Sequence, residues 1–132
     1  MPLSIQDRLA IQDVICLHGH LVDRGELDRL LEVFTENVVY DLTPMGGQIL
    51  VGVRDIADAA IALGDANPVG HHVTNILVTS EGTAVTATSK AIGIRRDGSV
   101  GSLVYDDVLE QTDRGWRISH RRVTLRRNPL NP

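Results

Sequence analysis

Residues 71–80 read HHVTNILVTS, 83–96 TAVTATSKAIGIRR, 100–112 VGSLVYDDVLEQT and 116–125 WRISHRRVTL. All four runs are rich in valine, isoleucine and threonine, the residues that fit a pleated surface. Glu81-Gly82, Asp97-Gly98 and Asp113-Arg114-Gly115 punctuate them as hairpins do. This half of the chain therefore reads as a meander of four long antiparallel strands.

Upstream of Pro68 the grammar is helical. Ser4 and Asp7 are spaced as a capping box, and Ile11, Val14, Ile15, Leu21 and Val22 then form one stripe. Gly25 interrupts it, and Leu27, Leu30, Leu31 and Phe34 read as a second, shorter helix. Val38 to Leu42 and GQILVGV, on either side of a Met45-Gly46-Gly47 turn, read as strands. Asp55 to Leu63 is a third helix, closed by Gly64 and by Pro68 beyond it. Helices followed by a meander define an α+β class and a single domain over 1–132. A long antiparallel sheet curls, so the expected architecture is a cone around three N-terminal helices with an internal pocket at its open mouth. The tail from Arg126 to Pro132 reads as an ordered end or a short contact arm.

Composition narrows the function. The 132 residues are 42% hydrophobic and 23% charged, enough to bury one core. A net charge of −4, with Phe34, Tyr40, Tyr105 and Trp116 the only aromatics, excludes a nucleic-acid binder. Cys16 alone forms no internal disulfide and no thiolate zinc cluster. No secretory signal or membrane-length apolar run is visible, so the expectation is a cytoplasmic domain with no membrane partner. Arginines gather late, at Arg117, Arg121, Arg122, Arg126 and Arg127, either as solvated or ion-paired strand residues or as an anion-binding patch.

Strand parity assigns the polar candidates. Leu103, Tyr105, Asp107 and Leu109 share the more apolar face, so Tyr105 and Asp107 point inward. A buried carboxylate must be paired or hydrogen-bonded, or else protonated, so Asp107 is either satisfied by an arginine or backbone donor or functional. With apolar strand neighbours its pKa is expected to be raised toward neutrality. Trp116, Ile118 and His120 share a face opposite Arg117, Ser119 and Arg121, which turns His120 inward; Tyr40 travels with Val38 and Leu42. His18 sits in the apolar stripe of the first helix, either as a satisfied core residue or as a catalyst, while His20 is solvated. Asp23 is about 140° around the helix from His18, so it reaches the same pocket only if the helix ends before Gly25. His71, with Val73 and Asn75, and His72, with Thr74 and Ile76, face opposite sides of one strand and cannot chelate one metal together. There is no His-x-x-x-His pair, Gly-x-Ser-x-Gly elbow, Walker loop or GxGxxG, so neither a metal nor a cofactor is expected.

DRLAIQDVICLHGHLVDRGELDRLLEVFTENVVYDL (7–42), HHVTN (71–75) and YDDVLEQTDRGWRISHRRV (105–123) resemble the SnoaL-like family of the nuclear-transport-factor-two-like superfamily. The resemblance runs over about residues 6–125 and implies a curved sheet around three helices, usually dimeric through the outer sheet face. Val104 and Val108 belong to that face here. Superfamily members similar in fold include ketosteroid isomerase, scytalone dehydratase and polyketide cyclases. The resemblance implies that Asp23 partners a proton-abstracting His71, with His72 as an offset alternative. It places Asp107 at the acid donor of ketosteroid isomerase and His18 where a tyrosine donor stands. Leu42 falls at that isomerase's general base, which removes support for steroid-type isomerisation. Arg95 and Asp97 mimic an epoxide-hydrolase pair but abut a turn away from the pocket.

The resulting expectation is a cofactor-independent lyase of dehydratase type, acting on a small apolar or polyketide-like molecule. Asp23, His71 and Asp107 would be its catalytic residues, and His18, Tyr40, His72, His120 and Tyr105 would contact substrate. The alternatives are a polyketide cyclase or isomerase, or a non-catalytic ligand-binding or subunit-assembly domain.

Overall fold

The computed structural model describes residues 2–130; Asn131 and Pro132, the last residues of the tail read as an ordered end or a short contact arm, lie outside them. Helix α1 (Ile5–Asp23) opens on the capping box: Ser4 Oγ accepts from the Asp7 amide at 3.0 Å, and Asp7 accepts from the Ser4 amide at 3.3 Å. The other Asp7 oxygen accepts from the Trp116 indole at 3.0 Å. That bond, the largest cause, and the Ser4 bonds hold the Asp7 carboxyl below its usual range and tie the helix to the last strand. The second helical segment forms only as a 3₁₀ turn, Leu27–Glu32, in which Arg29 pairs with Glu26 and Glu32. Helix α2 (Val53–Leu63) begins at Gly52, whose φ of 87° lets the chain leave a strand and enter a helix at once.

The strands are β1 (Phe34–Asp41), β2 (Ile49–Val51), β3 (Gly70–Glu81), β4 (Ala84–Ile94), β5 (Val100–Thr112) and β6 (Gly115–Arg126). They form one curved, unclosed sheet in the order β2-β1-β6-β5-β4-β3. The α+β cone with three leading helical segments is as expected, but the sheet is mixed. β1 runs parallel to β6, while every other pair is antiparallel. Hairpin signals reveal only neighbours in sequence; the β1–β6 pairing joins the two ends of the sheet-forming chain and leaves no local mark. No helix among the described residues is long and apolar enough to cross a membrane.

The core lies between the concave sheet face and the helices, with Ile11, Ile15 and Leu21 of α1 packed against Phe34, Val38 and Ile118. Two bulges decide which side chains enter it. On β6, Ile118 pairs with Leu109 and His120 with Val108, so Ser119 is the extra residue. Beyond it the faces exchange: Arg121 and Val123 are buried, and His120 turns to the convex face. On β3, Asn75 and Ile76 stand between partners of Lys90 and Thr88, and Asn75 adopts φ 56°, a conformation asparagine tolerates. That bulge returns Ile76 and Val78 to the inner face with Val73, instead of leaving Ile76 with His72.

Candidate active site

α1 ends at Asp23, and Gly25 at φ 71° turns the chain away. The helix therefore stops where its last side chain is released toward the sheet. Asp23 Oδ1 lies 2.5 Å from Nδ1 of His71, and Oδ2 accepts the His71 backbone N–H at 2.9 Å. One carboxylate thus grips both the ring and the main chain of a single strand residue. Gly19, one turn earlier, makes the approach possible. A Cβ there would stand 2.9 Å from His71 Cβ and 3.2 Å from its carbonyl oxygen. Donation from Nδ1 to Asp23 leaves Nε2 as the basic nitrogen of neutral His71. The His71 side chain is 12% exposed and that of Asp23 23%, so the pair is enclosed but reachable. A cavity of about 530 Å³ opens beside Asp23, lined both by apolar side chains such as Val22, Leu27 and Ile61 and by charged Arg24, Asp65 and Arg96.

Behind His71 lies a polar layer. The His18 ring is 6.2 Å from that of His71, 6.0 Å from Tyr40 and 5.3 Å from Phe34. Arg121 Nη1 reaches His18 Nδ1 at 3.2 Å. The same guanidinium donates through Nε and Nη2 to the two oxygens of Asp107, at 2.7 and 2.9 Å, and lies 4.0 Å over the Tyr105 ring. Arg121 and Asp107 are both buried, with side chains wholly removed from solvent. Burial, then Arg121 and His71, holds His18 well below its ordinary 6.5. Burial likewise pushes the Tyr40 and Tyr105 phenols up. Burial opposes the Arg121 charge, but Asp107 overrides it and the guanidinium pKa is raised.

The structure thus brings Asp23, His71, His18, Tyr40, Tyr105 and Asp107 to the inner side of the sheet. It removes two expected residues. His72 is exposed on the convex side, because its neighbour His71 takes the inner position. His120 lines a hollow on that outer side with Thr79, Thr86 and Thr88, displaced by the Ser119 bulge. Asp107 is also corrected in chemistry: with both oxygens occupied by Arg121 it is an acceptor, not the neutral acid donor expected. Residue-by-residue reading missed Arg121 and Gly19. A signal for Arg121 existed in the odd spacing of Ile118 and Val123, two apolar residues that cannot share one face without a bulge.

A curved α+β sheet with ionisable groups converging inside it defines a cone-shaped domain of the nuclear-transport-factor-two-like type. The chain belongs to the SnoaL-like domain family, which matches residues 3–122. An uncharacterized protein of Mycobacterium tuberculosis is 30% identical over 126 residues, covering 89% of this chain and 84% of its own length. Among solved structures, a proposed aromatic ring hydroxylase from Novosphingobium aromaticivorans is 30% identical, with TM-score 0.79 over 99% of this chain and 94% of its own. A hexachlorocyclohexane dehydrochlorinase shares the fold at 21% identity, with TM-score 0.76 over 97% of this chain and 94% of its own.

Proposed function

We propose that this protein is a cofactor-independent lyase that abstracts a proton beside an activating group on a small apolar molecule and expels a leaving group from the neighbouring carbon. The observation that carries this reading is the two-point grip of Asp23 on His71. It orients the ring, stabilises the imidazolium and leaves Nε2 to take a proton, the arrangement general-base catalysis requires. A dehydrochlorinase with this fold, whose name denotes an elimination, supports the same reaction class.

For a β-hydroxy ketone the step balances as follows. Nε2 takes the α proton, the C–H electrons form the new double bond, and the C–O bond breaks toward the hydroxyl. The imidazolium then returns its proton to that oxygen, so water leaves and His71 is neutral again. Aldol closure of a polyketide ring would begin with the same enolate. We also propose that a second copy of the chain covers the convex face, where Val104 and Val108 lie.

The test is 4-hydroxy-4-phenylbutan-2-one in deuterated water, with α-proton exchange and enone formation followed by NMR. Wild-type protein should accelerate both. His71→Ala and Asp23→Asn should each lose about 10²–10⁴-fold, and the double variant little more, because the residues act as one unit. Exchange unchanged in His71→Ala would refute the assignment.

A further inference from the structure

Arg121 turns three of its nitrogens to Asp107 and His18, and it also bears on the Tyr40 hydroxyl. Nε and Nη2 clasp Asp107, the plane rests on Tyr105, and only Nη1 is left to meet His18. A guanidinium has donors and no acceptor. The His18 nitrogen it meets, Nδ1, must therefore be the one without hydrogen, and the single hydrogen of a neutral imidazole must sit on Nε2. The edge contact with Phe34 and the tilted contact with Tyr40 hold the ring plane.

We propose that Asp107 and Arg121 are positioning residues that lock His18 as its Nε2–H tautomer, making it a neutral hydrogen-bond donor to the oxygen on which charge develops when His71 removes a proton. This donor role rests on the reading of His71 as the base. The two imidazoles then have opposite assignments. Asp23 takes the hydrogen of His71 Nδ1 and leaves a base at Nε2; Arg121 fills the lone pair of His18 Nδ1 and leaves a donor at Nε2. A cation within hydrogen-bonding distance also keeps His18 from accepting a second proton, as do its burial and His71 on the facing strand. The ionisable groups around it are Arg121 from β6, Asp107 and Tyr105 from β5 behind that guanidinium, His71 from β3, Tyr40 from β1, and Asp23 on its own helix. Lysine at 121 could not reproduce this, because a point ammonium has no fork to clasp Asp107 while presenting a third, fixed donor.

The deciding experiment is long-range ¹H–¹⁵N NMR of protein labelled with ¹⁵N-histidine, which reads each imidazole tautomer directly. His18 should show a protonated Nε2 and a bare Nδ1, with no change from pH 8 to pH 5.5. In Asp107→Asn the clasp loosens, and His18 should show mixed tautomers at pH 8. His18→Phe should lower kcat on the β-hydroxy ketone by about 10²–10³-fold with KM little changed, the loss typical of one oxyanion donor. A hydrogen on His18 Nδ1 in the wild-type spectrum, or wild-type protonation above pH 6, would overturn the lock. The correct tautomer with kcat unaffected in His18→Phe would overturn the donor role. Neither result depends on His71→Ala, so failure of the base assignment is read separately.

Discussion

Gly19→Ala sets two effects against each other, and the structure decides the sign. In an exposed helix interior the change gains about 1 kcal/mol from propensity. At this position the added Cβ lands 2.9 Å from His71 Cβ and 3.2 Å from the His71 carbonyl oxygen. Carbon pairs are most favourable at about 3.5–4.0 Å. Neither contacted atom is the tip of a flexible side chain, so β3 itself must retreat, by roughly half an ångström or more. Overpacking of that kind costs about 1–3 kcal/mol. The net expectation is a loss of about 1 kcal/mol, or roughly 3–5 °C in Tm for a chain of this size. Because His71 moves while Asp23 stays on the helix, turnover should fall further than stability does. A misplacement near 1 Å can cost about 10²-fold. Thermal unfolding by circular dichroism, beside turnover at 25 °C, measures both. A Tm raised by several degrees with full activity would show that α1 and β3 are not in close contact, and the account of how His71 reaches Asp23 would fail.

His18 stays neutral in the folded protein while the unfolded chain binds a proton near pH 6.5. Its contribution is therefore complete above that pH and drains away below it, by up to about 1.4 kcal/mol per pH unit; urea titrations at pH 6.5, 6.0 and 5.5 should lose this slope in His18→Phe. Arg121→Met strands the Asp107 carboxylate and should cost about 3–5 kcal/mol, with much of it recovered in the double variant Arg121→Met/Asp107→Leu; equal midpoints for single and double variants would contradict the pairing. Light scattering at micromolar concentration should return twice the 14.4 kDa chain mass, and Val108→Glu on the convex face should return the single mass.

Much of the architecture was legible because it is local. The capping box at Ser4, the hairpin glycines and the alternation of Leu103, Tyr105, Asp107 and Leu109 each declare themselves within a few residues, and each is found in the structure. What was not legible depends on distant partners. The parallel register of β1 on β6 is one such feature. The approach of Asp23 to His71 is another, since it is enabled by Gly19, a residue with no side chain to read. Helix angle alone left Asp23 ambiguous, and the resolution came from where α1 stops.

The β6 bulge has the largest chemical consequence. Strict alternation from Trp116 would have put His120 inside, opposite the Asp107 strand, and an imidazole there could have exchanged protons with its neighbours. The extra residue at Ser119 puts Arg121 there instead, a group that keeps its charge across the whole working range. Both oxygens of Asp107 are thereby engaged by a donor that has no acceptor of its own. One inserted residue thus decides which of two basic side chains, His120 or Arg121, faces Asp107. The same insertion moves His120 to the convex face, on the opposite side of the sheet from His71.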